Sequence, residues 1–291
     1  MAECVICNVC SSPGTLENSP EINKVSSNVR KFKTEKFTVW RCKSCHSLHT
    51  MEEIDLDFYY RHYPLQRHKL DLWARVAYKN RLSRLIKEGL KQDHDILDFG
   101  CGVGLFISYL HEKGYKKAVG YDANVADFAK EKVLSETYDV ITTQDVIEHI
   151  DEPRRVIAQL SRILRPGGFL CIGTPNAEEI SLSDPEKYLL SLHQPYHRHI
   201  LSEIALIDLC EKEGLKCDRI YNRWYYDTLF PTVNYRFLSS YIRQNENVLD
   251  TAFEEPNVTM VLKSPELLFF SIFGYFFPIK TEMMVFFKKL Q

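Results

Sequence analysis

Two sets of residues in this chain have the types and spacing that chemistry needs. The first is cysteine. Five of the nine cysteines fall within the first 45 residues, and Cys7-x-x-Cys10 and Cys42-x-x-Cys45 form two knuckles separated by a polar segment. A knuckle of this spacing sets two thiolates on one side of a tight turn. Two knuckles complete a tetrahedral S₄ site of the kind zinc takes. Cys4 stands at the same spacing from Cys7, and His46 and His49 are further candidate ligands. The preferred set is Cys7, Cys10, Cys42 and Cys45, because CNVCS parallels CKSCH. A module this small has almost no core, so a metal would supply much of its folding free energy. The plain alternative is a tail of free thiols.

The second set is the run ILDFGCGVG, Ile96 to Gly104. An apolar strand ends here, turns through Gly100, Gly102 and Gly104, and leads straight into the helical pattern LFISYLHEKG. A turn without Cβ atoms lets a ligand approach the backbone closely. A dinucleotide turn reads G-x-G-x-x-G. This one reads G-x-G-x-G, with Cys101 inside it and Asp98 two residues ahead of the first glycine. That acid disfavours a pyrophosphate and suits a ligand with a cationic end, such as an amino acid carrying a sulfonium. The next apolar run, AVGYDAN, ends in Asp122, 22 residues after Gly100. A carboxylate there can accept hydrogen bonds from both hydroxyls of a ribose.

These residues must be positioned by strands and helices. Strands are expected at Ile96–Phe99, Ala118–Asp122, Val140–Thr143 and Phe169–Thr174. Helices are expected at Leu105–Lys113, Ala126–Lys132, Pro153–Leu164 and Ser202–Glu213, with another over His68–Lys91 covering the domain. Alternation of this kind implies a doubly wound, mainly parallel α/β sheet with helices on both faces. Only 16 residues separate Asp122 from Asp139. A helix, a third strand and a loop do not fit, so the third strand is expected to be cut down to Lys132–Leu134 or missing. In the N-terminal segment, SSPGTLENSPEINKVSSN reads as an exposed loop and KFTVWRC as a strand.

The stretches LDFGCGVG, GYDAN, YDVITTQDVIEHI and LRPGGFLCIGTPN occur in this order between about Asp95 and Arg223. Together they resemble the class I S-adenosylmethionine-dependent methyltransferases, near the ubiquinone-pathway O-methyltransferases. The resemblance implies a Rossmann-like fold closed by an antiparallel edge that includes MMVFFK. It implies cofactor contacts at Asp98, Gly100, Cys101, Gly102, Gly104, Asp122, Ala123, Gln144 and Asp145. With the third strand shortened, Val133 or Leu134 is left as the apolar wall for adenine. The acceptor is expected to be a small molecule methylated on oxygen: a natural product, a sugar or a lipid-like compound. His149, after the fourth strand, and His199, in HQPYHRHILSE with His193 and His197, are the candidate bases. In the family the Asp145, Glu148, His149 pattern can also hold a divalent cation, and its oxygens suit Mg²⁺. Some sugar and natural-product methyltransferases carry a comparable N-terminal zinc module. The expected division is residues 1–56 as zinc module, 57–92 as connector and covering helix, and 93–291 as cofactor domain.

Bulk properties bound the alternatives. Lys plus Arg number 37 and Asp plus Glu 39 in 291 residues, a net charge of −2. That balance gives no general pull toward nucleic acid, which counts against an RNA methyltransferase gripping RNA through its zinc module. A non-catalytic binding protein on the same fold is disfavoured by the intact glycine turn and Asp122. The first residues lack a secretory pattern, and nine cysteines without one point to a reducing, cytoplasmic setting. The run from Leu267 to Pro278 is too short to span a membrane. It is expected to be core, or an apolar lip for a greasy substrate or membrane surface.

Overall fold

The computed structural model describes residues 4–15, 18–63, 69–229 and 234–290. Its strands are β1 (Cys4–Ile6), β2 (Pro13–Thr15), β3 (Ile22–Ser26), β4 (Lys36–Arg41), β5 (Leu48–Thr50), β6 (Ile96–Phe99), β7 (Ala118–Tyr121), β8 (Tyr138–Gln144), β9 (Leu164–Pro175), β10 (His199–Ile200), β11 (Leu215–Tyr221) and β12 (Glu282–Lys289). Its α-helices are α1 (Leu56–Tyr60), α2 (Leu72–Lys87), α3 (Leu105–Glu112), α4 (Pro153–Ile163), α5 (Leu189–Leu192), α6 (Glu203–Lys212), α7 (Tyr235–Gln244), α8 (Val258–Lys263) and α9 (Pro265–Phe273).

The main sheet has the order β11-β12-β9-β8-β6-β7. The pairs β6–β7, β6–β8 and β8–β9 are parallel, while β12 lies antiparallel between β9 and β11. Side chains alternate across the pleat, and the apolar runs are buried on both faces. Leu97, Ile141, Leu170 and Val285 face one core with Ile157 and Leu160 of α4 and Leu206 of α6. Their neighbours Ile96, Val140, Cys171 and Phe286 face the other, with Ala77 and Leu85 of α2 and Phe106 and Leu110 of α3. The helix starts follow their caps: Asp71 accepts from Ala74 N at 2.7 Å, and Ser202 Oγ from Ala205 N at 3.0 Å.

Two local expectations fail, and a third, the loss of a strand, is met. The stretch Ala126–Lys132 forms no α-helix; it turns at Val125–Ala129 and then makes a 3₁₀ turn over Glu131–Ser135. As the short spacing implied, no third parallel strand forms, so β7 is the edge of the sheet. There is too little chain between Asp122 and Asp139 for a crossover of ordinary length. The presumed exposed loop at residues 11–28 contains β2 and β3. Of the residues in the sequence reading, Leu16, Glu17, Pro64 and His68 lie outside those described.

The N-terminal segment is built into the rest. Strands β3, β4 and β5 form an antiparallel sheet whose other edge is β10, with His199 opposite His49 and Ile200 opposite Leu48. Cys7, Cys42 and Cys45 pack in the same core cluster as Ile147, Leu201 and Ala205. Toward the C-terminus, α7, α8 and α9 form an insertion between β11 and β12. The apolar run of α9 buries Leu267, while Ile272 and Phe276 are exposed. No described helix is long and apolar enough to cross a membrane.

Candidate functional site

At the carboxyl ends of β6, β7 and β8 lies a cavity of about 1120 Å³, where an open α/β sheet is expected to hold its ligand. One wall is the glycine turn. The Gly100 and Cys101 amides donate to the Tyr121 carbonyl at 2.7 and 3.1 Å, tying the ends of β6 and β7 together. The three glycines do different things. A Cβ on Gly100 would strike Val146 and one on Gly104 would strike the Phe128 ring, whereas one on Gly102 would meet open space. Gly102, at φ 53°, therefore presents bare backbone to the cavity. Asp122 is held by two amides at 2.9 Å, Gly102 N to one oxygen and Asn124 N to the other, and it also lines the cavity.

Not every residue named from sequence reaches this wall. Gly100, Gly102, Asp122, Ala123 and Asp145 line the cavity; Asp98, Cys101, Gly104 and Gln144 do not. Asp98 is buried and accepts from Arg81 Nη2 at 2.8 Å. Arg81 also reaches Thr142 at 2.7 Å and lies over the Phe106 ring. The acid thus braces the base of the turn through a buried ion pair. Arg81 could have been suspected, as a charge on the apolar face of a helix that also carries Ala77, Leu82 and Leu85. Cys101 tucks under the turn against Gly120, its thiol pushed up to about 12 by burial. Gln144 donates to Asp145 at 2.8 Å. Val133 and Leu134 pack in the core rather than on the cavity, whose apolar residues near Asp122 are Val125, Val146 and Ile150.

The opposite wall is aromatic and titratable. His149 Nδ1 lies 3.0 Å from the Tyr196 carbonyl, which can only accept, so Nδ1 carries the proton and Nε2 is the basic nitrogen. The Tyr60 hydroxyl sits 3.0 Å from the same Nδ1. Burial lowers the His149 imidazole to about 4, so it is neutral at physiological pH. His197 is fixed the same way, with Nδ1 at 2.7 Å from the Ser191 carbonyl. His193 bridges Asn28 Oδ1 at 2.7 Å and the Tyr63 hydroxyl at 2.9 Å. Glu148 is fully buried. One of its oxygens accepts from Thr174 at 3.0 Å, and the other has no hydrogen-bond partner among the described residues. Burial, reinforced by Asp145, raises its carboxyl to about 8.

Glu148, His149 and His197 bring one ligand atom each within 4.8 Å of one another. The cation set read from sequence, with Asp145, is not the one assembled. Asp145, at φ 55°, is turned toward Gln144 and Tyr225. Two imidazoles and one carboxylate suit a softer divalent ion than Mg²⁺. His199 is also elsewhere. It is buried in β10 with Nδ1 3.0 Å from His49 Nδ1 and does not line the cavity.

His49 leads to the second cluster. Its Nε2 lies 3.2 Å from Cys7 Sγ. Cys7, Cys10, Cys42 and Cys45 place all four Sγ atoms within 4.8 Å of one another, with Cys7–Cys45 at 3.6 Å and Cys10–Cys42 at 3.7 Å. A tetrahedron with Zn–S bonds near 2.3 Å has S–S edges of about 3.8 Å, so the donor set fits zinc. The two knuckles fold alike. Ser11 N donates to Cys7 O at 2.8 Å and His46 N to Cys42 O at 3.0 Å, with Ser11 and His46 both at φ near 60°. His46 is exposed, outside the cluster.

Sequence reasoning missed Asn28, Tyr60, Tyr63, Trp224 and Glu282, all on the cavity wall. They lie outside the recognisable motifs, and only the density of aromatics in DFYYRHYP hinted at two of them.

A family model described as a methyltransferase domain matches residues 67–220. The ubiquinone biosynthesis O-methyltransferase of Colwellia psychrerythraea is 29% identical over 153 residues, covering 43% of this chain and 62% of that protein. The mitochondrial one of Dictyostelium discoideum is 28% identical over 144 residues, covering 39% and 43%. The chain thus spans less than two thirds of the length of these relatives. Among solved structures, phosphoethanolamine N-methyltransferase 2 of Haemonchus contortus overlaps with a TM-score of 0.46 at 16% identity, covering 84% of this chain and 63% of that one. An S-adenosylmethionine-dependent methyltransferase of Mesorhizobium loti overlaps with a TM-score of 0.42 at 13% identity, covering 70% and 95%.

Proposed function

Because the chain belongs to the methyltransferase-domain family, we propose that it catalyses S-adenosylmethionine-dependent methyl transfer to an oxygen of a small molecule. The observation that carries this reading is a single cavity with a bare-backbone glycine and an amide-held carboxylate on one wall and a neutral imidazole on the other. Gly102 and Asp122, with Ala123 and Asp145, are the residues that would hold the cofactor. When bound, S-adenosylmethionine supplies a methyl group already activated on sulfur. The protein's share is to align the acceptor oxygen and to take its proton. His149 Nε2 is the base in this reading. The Tyr196 carbonyl fixes its tautomer, and Tyr60 holds the ring from the same side. The Cys7, Cys10, Cys42 and Cys45 set is read as a structural zinc site, because its four positions are all filled by protein sulfur.

A second reading of the same wall has one specific observation behind it, the unpartnered buried oxygen of Glu148. A divalent cation on Glu148, His149 and His197 would satisfy that oxygen and lower the pKa of an acceptor hydroxyl. His149 would then be a ligand rather than a base.

Titration of the protein with S-adenosylmethionine tests the cofactor, and labelled methyl transfer to a panel of hydroxylated compounds tests the reaction. Absence of cofactor binding would refute the proposal. Activity that is unchanged after treatment with a chelator, with the zinc retained, would favour the base over the cation.

A further inference from the structure

The acceptor end of the cavity has a chemistry of its own, distinct from the base and the cysteine cluster. Glu282 opens β12 and stands in register with Pro175 at the end of β9, so both reach the cavity at the carboxyl end of the sheet. Its side chain is nine-tenths buried, at 9% residue exposure. Its hydrogen-bond partner is neutral: Ser191 Oγ donates to Oε1 at 3.2 Å. Ser191 in turn lies 3.0 Å from the Tyr235 hydroxyl. No lysine or arginine pairs with Glu282 among the described residues.

The rest of the wall is equally short of positive charge. Among the described residues, Asp57, Asp122, Asp145, Glu148 and Glu282 line the cavity, against a single guanidinium, the exposed Arg61. A second, independent sign of a missing partner is the fully buried Glu148 oxygen, which has no hydrogen-bond partner among the described residues and only the neutral His197 imidazole near it, Nε2 at 3.9 Å. Buried carboxylates are ordinarily paired, since an isolated one is expensive to take out of water. Beside Glu282, Trp224 and Tyr235 meet edge to face with ring centroids 5.2 Å apart, and both line the cavity. Aromatic faces next to a carboxylate form the site that an ammonium group prefers. Leu190, Leu238 and Leu249 complete this end with apolar surface, which offers an anion nothing.

We propose that the acceptor carries a positively charged amine as well as its hydroxyl, and that Glu282, Trp224 and Tyr235 are the residues that hold the amine. This rests on the cavity being a methyltransferase site, as proposed above. It places phosphorylated, carboxylated and nucleotide-linked acceptors outside the substrate class, because their charge would meet the carboxylates.

The test uses the full chain loaded with S-adenosylhomocysteine and three phenols that differ in one substituent, aminoethyl, ethyl or carboxymethyl. Calorimetry on the parent should rank them ammonium, neutral, carboxylate, with a gap on the order of tenfold between the first two. Glu282→Gln, nearly isosteric, should close that gap while leaving S-adenosylhomocysteine affinity unchanged. Equal binding of the ammonium and ethyl phenols by the parent would overturn the proposal. So would tighter binding of the carboxylate, no binding of any of the three, or a Glu282→Gln protein that keeps the preference. If Glu282→Gln fails to fold, the ranking on the parent still decides. Failure of the parent to bind S-adenosylhomocysteine at all would instead reject the methyltransferase reading.

Discussion

The four-cysteine cluster and the Glu148, His149, His197 cluster are both groups of metal-type donors, and they differ in closure. The cysteines fill all four corners with protein sulfur, behind a core shared with Leu201 and Ala205. The second cluster has three donors, one unpartnered oxygen, and a cavity in front of it. A closed site can hold structure but leaves no position for a substrate; an open one can take part in chemistry. The two are joined mechanically. Cys7 touches His49, His49 pairs with His199 across β5 and β10, and Thr50 Oγ1 bonds the His197 carbonyl at 2.9 Å. The closed cluster therefore anchors β5 and β10, and β10 is the strand that follows His197.

The largest effect should come from breaking the closed cluster. Cys42→Ser combined with Cys45→Ser should yield protein without zinc by elemental analysis. Its melting temperature should fall on the order of 10 °C or more, since structural zinc supplies folding free energy directly. Because the cysteines share the core cluster of the main sheet, the loss should reach the whole molecule. A variant that melts like the parent, or keeps its zinc, would break the contrast.

Removing the open cluster's base should instead spare the fold. His149→Ala is expected to lower turnover by on the order of 10²–10⁴-fold while cofactor affinity stays at the parental value. A rate close to the parent's would leave alignment alone to explain catalysis.

On the cofactor wall, Asp122→Ala removes a charged acceptor held by two amides, and should weaken S-adenosylmethionine binding by about 10–100-fold. Gly102→Arg should do at least as much by filling the bare-backbone approach. Parental affinity in both would reassign the site.

His199→Ala sharpens the comparison further, because His199 contacts the brace of the closed cluster and not the cavity. Zinc affinity should fall about 10-fold or more, as for other supports of metal ligands. Turnover at saturating zinc should stay within a few-fold of the parent. A loss of turnover with zinc fully retained would return His199 to the chemistry.

The smallest effect per group is in the pH dependence of stability. His149, His193 and His199 are held to about 4, 3 and 3 by burial, and His197 well below its ordinary value. Their folded values are depressed, so the stability they contribute is present above 6.5 and is lost as pH falls through the acid range. Glu148 is raised from 4.5 to about 8, so its contribution is present at low pH and is lost as pH rises toward 8. Burial also raises Asp98, Asp145, Asp227 and Glu282, so below 6.5 the buried carboxyls oppose the imidazoles and the acid side should be shallow. Between 6.5 and 8 the imidazoles are neutral in both states and the raised carboxyls act alone. The ligand-free protein should therefore lose stability as pH rises above 6.5, by up to about 1.4 kcal/mol per pH unit for Glu148. Denaturant melts across pH 4.5–8.5 check this; a flat profile above 6.5 would mean that the buried carboxyls are not held protonated.

Local spacing determined a good deal about this protein. The knuckles at Cys7, Cys10, Cys42 and Cys45 and the turn from Gly100 to Gly104 are contiguous patterns whose geometry follows from a few residues. So are the apolar strands, whose alternation with helical patterns made a mainly parallel sheet legible. The antiparallel edge at MMVFFK was legible only through the resemblance to the methyltransferase family.

Tertiary structure decided the rest, because it depends on pairings the chain does not announce. Asp98 read as a ligand contact until Arg81, on α2, was seen to neutralise it. His197 and His199 are two residues apart, a spacing that would put both on one face of a continuous strand; His197 instead lies before β10, across the bend at Arg198, and reaches the cavity while His199 faces His49. Glu282 lies at the far end of the sequence and reaches the cavity only because β12 inserts beside β9. A residue type and its spacing can show what chemistry is available. Which face a side chain takes, and what charge stands opposite it, is fixed only when distant strands come into register.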